Sequence, residues 1–272
     1  MVTHPDPERS AVEGRRIQKV ALRLRISHSF DAPHRDCNQI MKTNLQPKIR
    51  EHRYERKFRV EDLDDAQVRM LIKRHPSIFY SPYPPRHINN LYLDTPNMEN
   101  YHANVSGVGE RQKARIRWYG GLHGEINKPV LEFKVKDGLV GAKYSYPFPA
   151  FSFDKTFTQK GFQQLIAQSD LPDEIRWQLR GMSVVLCNRY YRRYYLTKDK
   201  KYRLTVDKEM RYFHIKQAQN SFRHQFLDPK AVVVELKYDP VLDPYADKIS
   251  GFFPFIITRN SKYITGIEQV YM

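Results

Sequence analysis

Three short runs of the chain place cations at alternate positions: Lys113, Arg115 and Arg117; Lys134 and Lys136 after Glu132; and Arg53, Lys57 and Arg59 with Glu55 among them. Side chains two apart on an extended chain share a face, so each run offers a row of positive charge. The opposite faces carry Ile116 and Trp118, then Leu131, Phe133 and Val135, then Phe58 and Val60, which suit a core. Arg203, Thr205 and Asp207 oppose Leu204 and Val206 in the same way, and Glu235 and Lys237 oppose Val234, Leu236 and Tyr238. Arg presents a planar fork and Lys a compact charge, the two groups best suited to phosphate oxygens.

For any single strand, an ordinary solvent face explains such a row. Together the rows argue otherwise, because cations dominate the strand centres with isolated Glu between them. A sheet curled into a tunnel would focus this charge on one axis. Converging cations repel and lose solvation, so a tunnel of this kind implies a polyanionic ligand.

The elements that position these rows are short alternating segments rich in Tyr, Phe, Val and Ile. Strands are expected at Arg53 to Val60, Asn89 to Asp94, Lys113 to Tyr119, Val130 to Lys136, Arg189 to Leu196, Tyr202 to Asp207 and Val232 to Tyr238. Helical spacing is expected at Leu63 to Lys73 with Asp62 as cap, at Asp154 to Gln168, at Pro172 to Leu186, and between Pro244 and Arg259. Helices do not alternate regularly with strands, so the expected class is α+β: an antiparallel β-barrel tunnel with a few helices packed outside. Neither a GxxxxGK[ST] loop nor a GxGxxG turn occurs.

With 272 residues and 40% hydrophobic content, the chain suits one substantial core. Residues 1–48 lack strand alternation and are expected to form a loosely ordered leader, leaving 49–272 as the tunnel domain. The 46 Lys and Arg against 30 acids give +16, which favours a polyanionic partner. Cys37 and Cys187 are isolated, so neither a disulfide framework nor a zinc site is expected. No long apolar run or secretory signal appears, and a cytoplasmic location without a transmembrane segment is the expectation.

The stretches Arg53-Tyr54-Glu55-Arg56-Lys57-Phe58, Leu91-Tyr92-Leu93-Asp94-Thr95, Arg115-Ile116-Arg117-Trp118-Tyr119-Gly120, Leu131-Glu132-Phe133-Lys134, Asn188-Arg189-Tyr190, Arg203-Leu204-Thr205-Val206-Asp207, Val234-Glu235-Leu236-Lys237 and Ser261-Lys262-Tyr263 occur in order over about 215 residues. In this ordered set the chain resembles the triphosphate tunnel metalloenzymes, and in particular the polyphosphate-polymerase domain of the vacuolar transporter chaperone family. The resemblance implies ATP and polyphosphate as partners and Mn²⁺ or Mg²⁺ as cofactor. Carried over by position, Lys57, Arg115, Arg117, Lys134, Arg189, Arg203 and Lys262 become phosphate ligands and Glu235 the metal carboxylate. The Glu-x-Glu-x-Lys signature of the wider superfamily appears here as Arg53-Tyr54-Glu55-Arg56-Lys57, and the Arg in place of the first Glu favours the polymerase-like branch. Neither the chaperone subunits' inositol-phosphate-sensing domain nor their membrane helices are expected within these 272 residues.

Glu55 and Glu132 are expected to project inward, as metal ligands or as ion-pair partners orienting Lys57 and Lys134. Tyr191 is a candidate to hydrogen-bond phosphate or border the adenine, and Lys143 to extend the phosphate path. No Ser, Cys or His constellation is needed, since the accepting end of a polyphosphate is already ionised. The leading function is transfer of the γ-phosphate of ATP to polyphosphate. The alternatives are a nucleotide or inorganic triphosphatase and a non-catalytic polyphosphate binder. Nucleic acid is not expected, because none of its recognition signatures is present.

Overall fold

The computed structural model describes residues 47–50, 53–137, 140–218 and 220–272. The leader expected over 1–48 lies, through residue 46, outside the described residues, as does Cys37.

The strands are β1 (Lys48–Arg50), β2 (Tyr54–Val60), β3 (Phe79–Tyr80), β4 (Arg86–Asp94), β5 (Glu110–Tyr119), β6 (Gly124–Ile126), β7 (Val130–Asp137), β8 (Val140–Pro147), β9 (Phe151–Phe153), β10 (Ser183–Thr197), β11 (Arg203–His214), β12 (Gln225–Asp228) and β13 (Val232–Tyr238). The helices are α1 (Asp65–Arg74), α2 (Glu99–Val105), α3 (Gln159–Ala167), α4 (Asp173–Arg180), α5 (Asp243–Ser250) and α6 (Lys262–Tyr271).

All but β6 and β9 join one antiparallel sheet in the order β1-β8-β7-β5-β4-β10-β11-β13-β2, with β12 beside β11 and β3 beside β10. In that order β7 and β2 are six strand spacings apart, about 29 Å in a flat sheet. Yet Lys134 Nζ on β7 lies 3.2 Å from Glu55 Oε2 on β2. The sheet is therefore curled on itself, as the tunnel expectation required.

Its convex side is covered by two apolar layers. Leu91, Ile116, Leu131 and Phe133 pack with Phe162 and Ile166 of α3 and Leu179 of α4, and Phe58, Leu204, Val234 and Leu236 pack with Val68 and Ile72 of α1 and Ala246 of α5. Arg56 also turns outward, donating to Tyr238 Oη at 2.8 Å and Asp247 Oδ1 at 2.5 Å. The concave side contains a third apolar group, in which Tyr263, Ile267 and Val270 of α6 meet Ile88, Tyr92, Leu186, Tyr212 and Val233. Burial of each such side chain contributes about 1.5–3 kcal/mol, which fixes α6 inside one end of the curl.

Gly266 makes that position reachable. A Cβ there would lie 2.4 Å from Leu186 Cδ2 and 2.6 Å from Tyr212 Cδ1. Ser261 caps α6 by accepting from Ile264 N at 3.4 Å. Just upstream, Thr258 N donates to Lys57 O at 2.8 Å and Arg59 N donates to Thr258 Oγ1 at 3.1 Å. The segment before α6 thus runs along the free edge of β2. Asp94 anchors the same end, accepting from Thr95 N, Asn100 N and Tyr101 N at 2.8–2.9 Å and from the Tyr263 hydroxyl.

The structure corrects several expected boundaries. Asp64, with Gln67, forms the capping box of α1, in place of Asp62. The helix expected from Asp154 starts after Thr158, the one expected to reach Leu186 stops at Arg180, and the one expected to reach Arg259 stops at Ser250. Val184 to Leu186 instead extend β10, where β-branched residues favour strand. Helices α2 and α6 had no expectation. No helix among the described residues is long and apolar enough to cross a membrane.

Candidate functional site

On the concave face, three groups of opposed charges line the space beyond α6. In the first, Glu132 on β7 accepts from Arg115 Nε at 2.8 Å, pairs with Lys143 of β8, and lies 3.6 Å from Arg117 Nη1. Arg117, 8% exposed, also donates to Asn90 Oδ1 at 2.8 Å and to Tyr190 Oη at 3.2 Å. In the second, Arg192 of β10 grips Asp207 of β11 through Nε–Oδ1 at 2.5 Å and Nη2–Oδ2 at 2.6 Å, while Lys262 reaches Asp207 Oδ2 at 2.6 Å. Glu235 of β13 joins this group through Lys237 at 2.7 Å, Arg192 at 3.5 Å and Lys262 at 3.7 Å. In the third, Glu55 links Lys57 and Lys134, each at 3.2 Å, with Lys237 at 3.8 Å.

Lys113 completes the lining, donating to Ser261 Oγ at 2.8 Å. Nine cations, Lys57, Lys113, Arg115, Arg117, Lys134, Lys143, Arg192, Lys237 and Lys262, therefore face four carboxylates, Glu55, Glu132, Asp207 and Glu235. The carboxylates cannot neutralise the lining. Burial alone pushes the Lys113 ammonium down, and the Lys57, Lys134, Arg111 and Arg115 charges push it further, to about 7. Burial lowers Lys143 and the Glu132 carboxylate partly restores it, leaving it at about 8. Burial would raise the Glu55 carboxyl, but Lys237, Lys57 and Lys134 outweigh burial and Glu235 and hold it at about 2. Glu235 is likewise kept well below the usual range by Lys237, Lys262, Lys57 and Arg192 despite its burial.

Three buried polar groups on this face lack a hydrogen-bond partner among the described residues: Asn188 Nδ2 and Thr205 Oγ1 beside the charged groups, and His214 Nδ1 against Tyr271 of α6. Asn188 is registered opposite Asn90, which accepts from Arg117, and Thr205 opposite Glu235. Buried donors are normally satisfied by protein or water, so Asn188 and Thr205 are available to acceptor oxygens on this face.

Of the residues singled out from sequence, Lys57, Arg115, Arg117, Lys134, Lys143, Glu55, Glu132, Glu235 and Lys262 come together here. Both inward glutamates are ion-pair partners: Glu55 holds Lys57 and Lys134, while Glu132 holds two arginines and Lys143. Arg203 shares the face, registered opposite Lys237, and is exposed at the rim.

Arg189 and Tyr191 do not join them. Arg189 donates to Asn89 Oδ1 and Gly120 O, each at 3.1 Å, on the convex side. Tyr191 lies there too, its ring 5.0 Å from His87 and beneath the Arg193 guanidinium. Both expectations are corrected by parity, since 189 and 191 fall on the strand face opposite 188, 190 and 192. Arg192 and Tyr190 occupy the inward positions. Asp207, Asn90, Asn188, Lys113 and Lys237 were also without an assigned role, although alternation had placed Lys113, Asp207 and Lys237 on the charged faces.

Among the described residues no three His, Cys, Asp or Glu side chains group as a metal set. A divalent ion would have to draw most of its shell from phosphate and water. Glu235 suits that arrangement: Oε2 takes Lys237 and Arg192, whereas the nearest cation to Oε1 is Lys262 at 3.7 Å, beyond hydrogen-bond distance. A separate hollow of about 450 Å³, lined by Pro76, Ser77, Ile78, Lys198 and Asp199, shares no residue with this lining.

Three solved structures are similar to the chain: an adenylate cyclase-like protein from Vibrio parahaemolyticus (13% identity, 79% of this chain and 98% of that one, TM-score 0.45); an adenylyl cyclase-like protein from Hippeastrum described as having a dominant triphosphatase activity (16%, 81% and 98%, 0.44); and an adenylate cyclase-like protein from Bacillus halodurans (11%, 82% and 98%, 0.45). At such scores they stand as likenesses only. No curated protein matches. The VTC domain matches over residues 52–271, which takes in every charged group described above, and the chain belongs to the VTC domain family.

Proposed function

We propose that the tunnel binds the triphosphate of ATP and transfers its γ-phosphoryl group to the end of a polyphosphate chain. The observation that carries this reading is the convergence of nine cations on four carboxylates, an excess that a phosphate chain neutralises. Arg115, Arg117 and Arg192 offer forks to non-bridging oxygens, and Lys57, Lys134, Lys143 and Lys262 supply point charges that follow a moving chain. Asn188 and Thr205 complete the cradle with neutral donors.

Phosphoryl transfer breaks the bond between the γ-phosphorus and the bridging oxygen, which leaves on ADP, and forms a bond to a terminal oxygen of the polymer. That acceptor oxygen is already ionised, so no general base is needed. The protein's part is positioning and stabilisation of charge on the transferring group. Mn²⁺ or Mg²⁺, held by Glu235 Oε1 with phosphate oxygens and water, would neutralise phosphate charge. Incubation with ATP and Mn²⁺ tests the reading: acid-labile polymer with ADP supports it, whereas ADP with orthophosphate and no polymer favours a triphosphatase.

Two further results are expected. Arg192→Ala should weaken tripolyphosphate binding by about 10- to 100-fold, the scale of a lost charged hydrogen bond, while Arg189→Ala should stay within about two-fold. Isothermal calorimetry separates them, and the reverse ranking would restore Arg189 to the site.

The second concerns pH. With its pKa near 7, Lys113 is largely neutral above that pH in the anion-free tunnel. Bound phosphate favours the charged form, so binding takes up a proton and affinity falls as pH rises from about 7 to about 9, by up to about ten-fold per unit. Lys143, near 8, acts in the same direction. Lys113→Arg, which stays charged, should make the decline shallower than in the wild type. Identical pH profiles would contradict the assignment.

A further inference from the structure

We propose that Arg86, Tyr119 and Tyr194 form a stacking platform at the tunnel mouth that seats the nucleobase of the nucleoside triphosphate. The proposal rests on the reading of the tunnel as a triphosphate site and adds what recognises the rest of the substrate.

Arg86 opens β4 and is registered opposite Arg192. Its guanidinium carbon lies 4.0 Å from the Tyr119 ring centroid and 5.2 Å from that of Tyr194, and Nε donates to Tyr194 Oη at 3.1 Å. Tyr83 packs edge-on against Tyr194 at 5.9 Å. Arg86 has no carboxylate partner among the described residues, unlike the arginines deeper in the tunnel. Tyr119 is 45% exposed and Tyr83 61% exposed, a large aromatic area left to solvent beside an unneutralised charge.

The placement matches the shape of the substrate. Tyr119 lies two residues beyond Arg117 on the same face of β5, and Tyr194 two beyond Arg192 on the same face of β10. Each step of two residues is about 7 Å along a strand. Tyr92 and Leu186, at the other end of those faces, pack on α6, so the platform stands at the end away from it. Across the ladder Tyr119 is level with Ile88 and Tyr190, and Arg86 is level with Arg192 one step further out. The Arg117 and Arg192 guanidiniums both reach the Tyr190 side chain, so terminal phosphates held there leave the base to Arg86, Tyr119 and Tyr194 at the open end. Aromatic rings and a guanidinium plane stack on any base, so the site is expected to favour nucleotides over bare phosphate chains and to separate ATP from GTP only a few-fold.

The test compares a nucleotide with a ligand that lacks a base. Dissociation constants for a non-hydrolysable ATP analogue and for inorganic tripolyphosphate are measured on wild type, Tyr119→Ala, Arg86→Ala and Tyr119→Phe. Both alanine variants should bind the nucleotide about ten-fold more weakly, with tripolyphosphate within two-fold of wild type and Tyr119→Phe unchanged for both. Retained tripolyphosphate binding also shows that the variants fold. Nucleotide affinity that survives both alanine changes, or equal losses for the two ligands, overturns the platform alone. Wild-type protein that binds neither ligand overturns the tunnel reading and the platform with it.

Discussion

Glu235→Gln is expected to lower turnover by about 100- to 1,000-fold, the scale of removing one group that stabilises developing charge, while tripolyphosphate binds as well as before or better. The amide keeps the shape of the side chain and removes a negative charge from among Lys237, Lys262, Lys57 and Arg192. Those cations are then freer to meet phosphate, so affinity rises or holds. The same change replaces the hard anionic oxygen proposed for the divalent ion by a neutral amide, a poorer ligand. Steady-state rates with ATP and Mn²⁺, set beside calorimetric binding, read both halves of the expectation. Turnover unchanged from wild type would remove Glu235 from the chemistry and leave it a counter-ion.

Asp207→Ala is expected to be the most destabilising single change in the tunnel. Asp207 is fully buried and holds Arg192 by two bonds and Lys262 by a third. Removing one partner of such a group leaves uncompensated charge and costs about 3–5 kcal/mol, which lowers Tm by on the order of 10 °C for a domain of this size. A polyanion should restore much of that loss. Saturating tripolyphosphate supplies the missing negative charge, and ligand at 100 times its dissociation constant adds about 2.7 kcal/mol. Thermal denaturation with and without tripolyphosphate measures this, and a larger Tm gain in the variant than in wild type is the expected sign. A variant that loses stability but gains nothing extra from the anion would make Asp207 structural only.

Much of this was legible in the sequence because a strand's two faces are written at alternate positions. Lys113, Arg115 and Arg117 against Ile116 and Trp118, and Glu132 and Lys134 against Leu131 and Phe133, separate a charged face from an apolar one, and the structure turns the charged face into the curl. Alternation holds along β10, whose pairing with β4 is unbroken from Leu186 to Arg192. Polar residues occupy both of its faces, however, so composition did not say which face turns inward and Asn188-Arg189-Tyr190 suggested the wrong arginine. Arg192, three residues on, is the inward one.

Helix α6 was hidden for a different reason. A glycine inside Lys262 to Tyr271 reads as a helix breaker, whereas here Gly266 lets the helix approach Leu186 and Tyr212. The overlong helix through Leu186 shows the limit of apolar runs, since Val184 and Val185 fit either period and only sheet pairing decides. The pairing of Asp207 with Lys262 joins residues 55 apart and rests on α6 entering the curl, which no local pattern encodes. Arg86 escaped notice because it precedes Asn89, where the strand was expected to begin.

The most direct measurement is a crystal structure with tripolyphosphate and Mn²⁺. The account predicts one anion in contact with Arg115, Arg117 and Arg192, Lys57 and Lys262 within ion-pair distance, and the metal on Glu235 Oε1. Tripolyphosphate bound instead at Arg189 and Arg211 on the convex face, with the Arg192–Asp207 and Arg115–Glu132 pairs undisturbed and no anion between them, would contradict it.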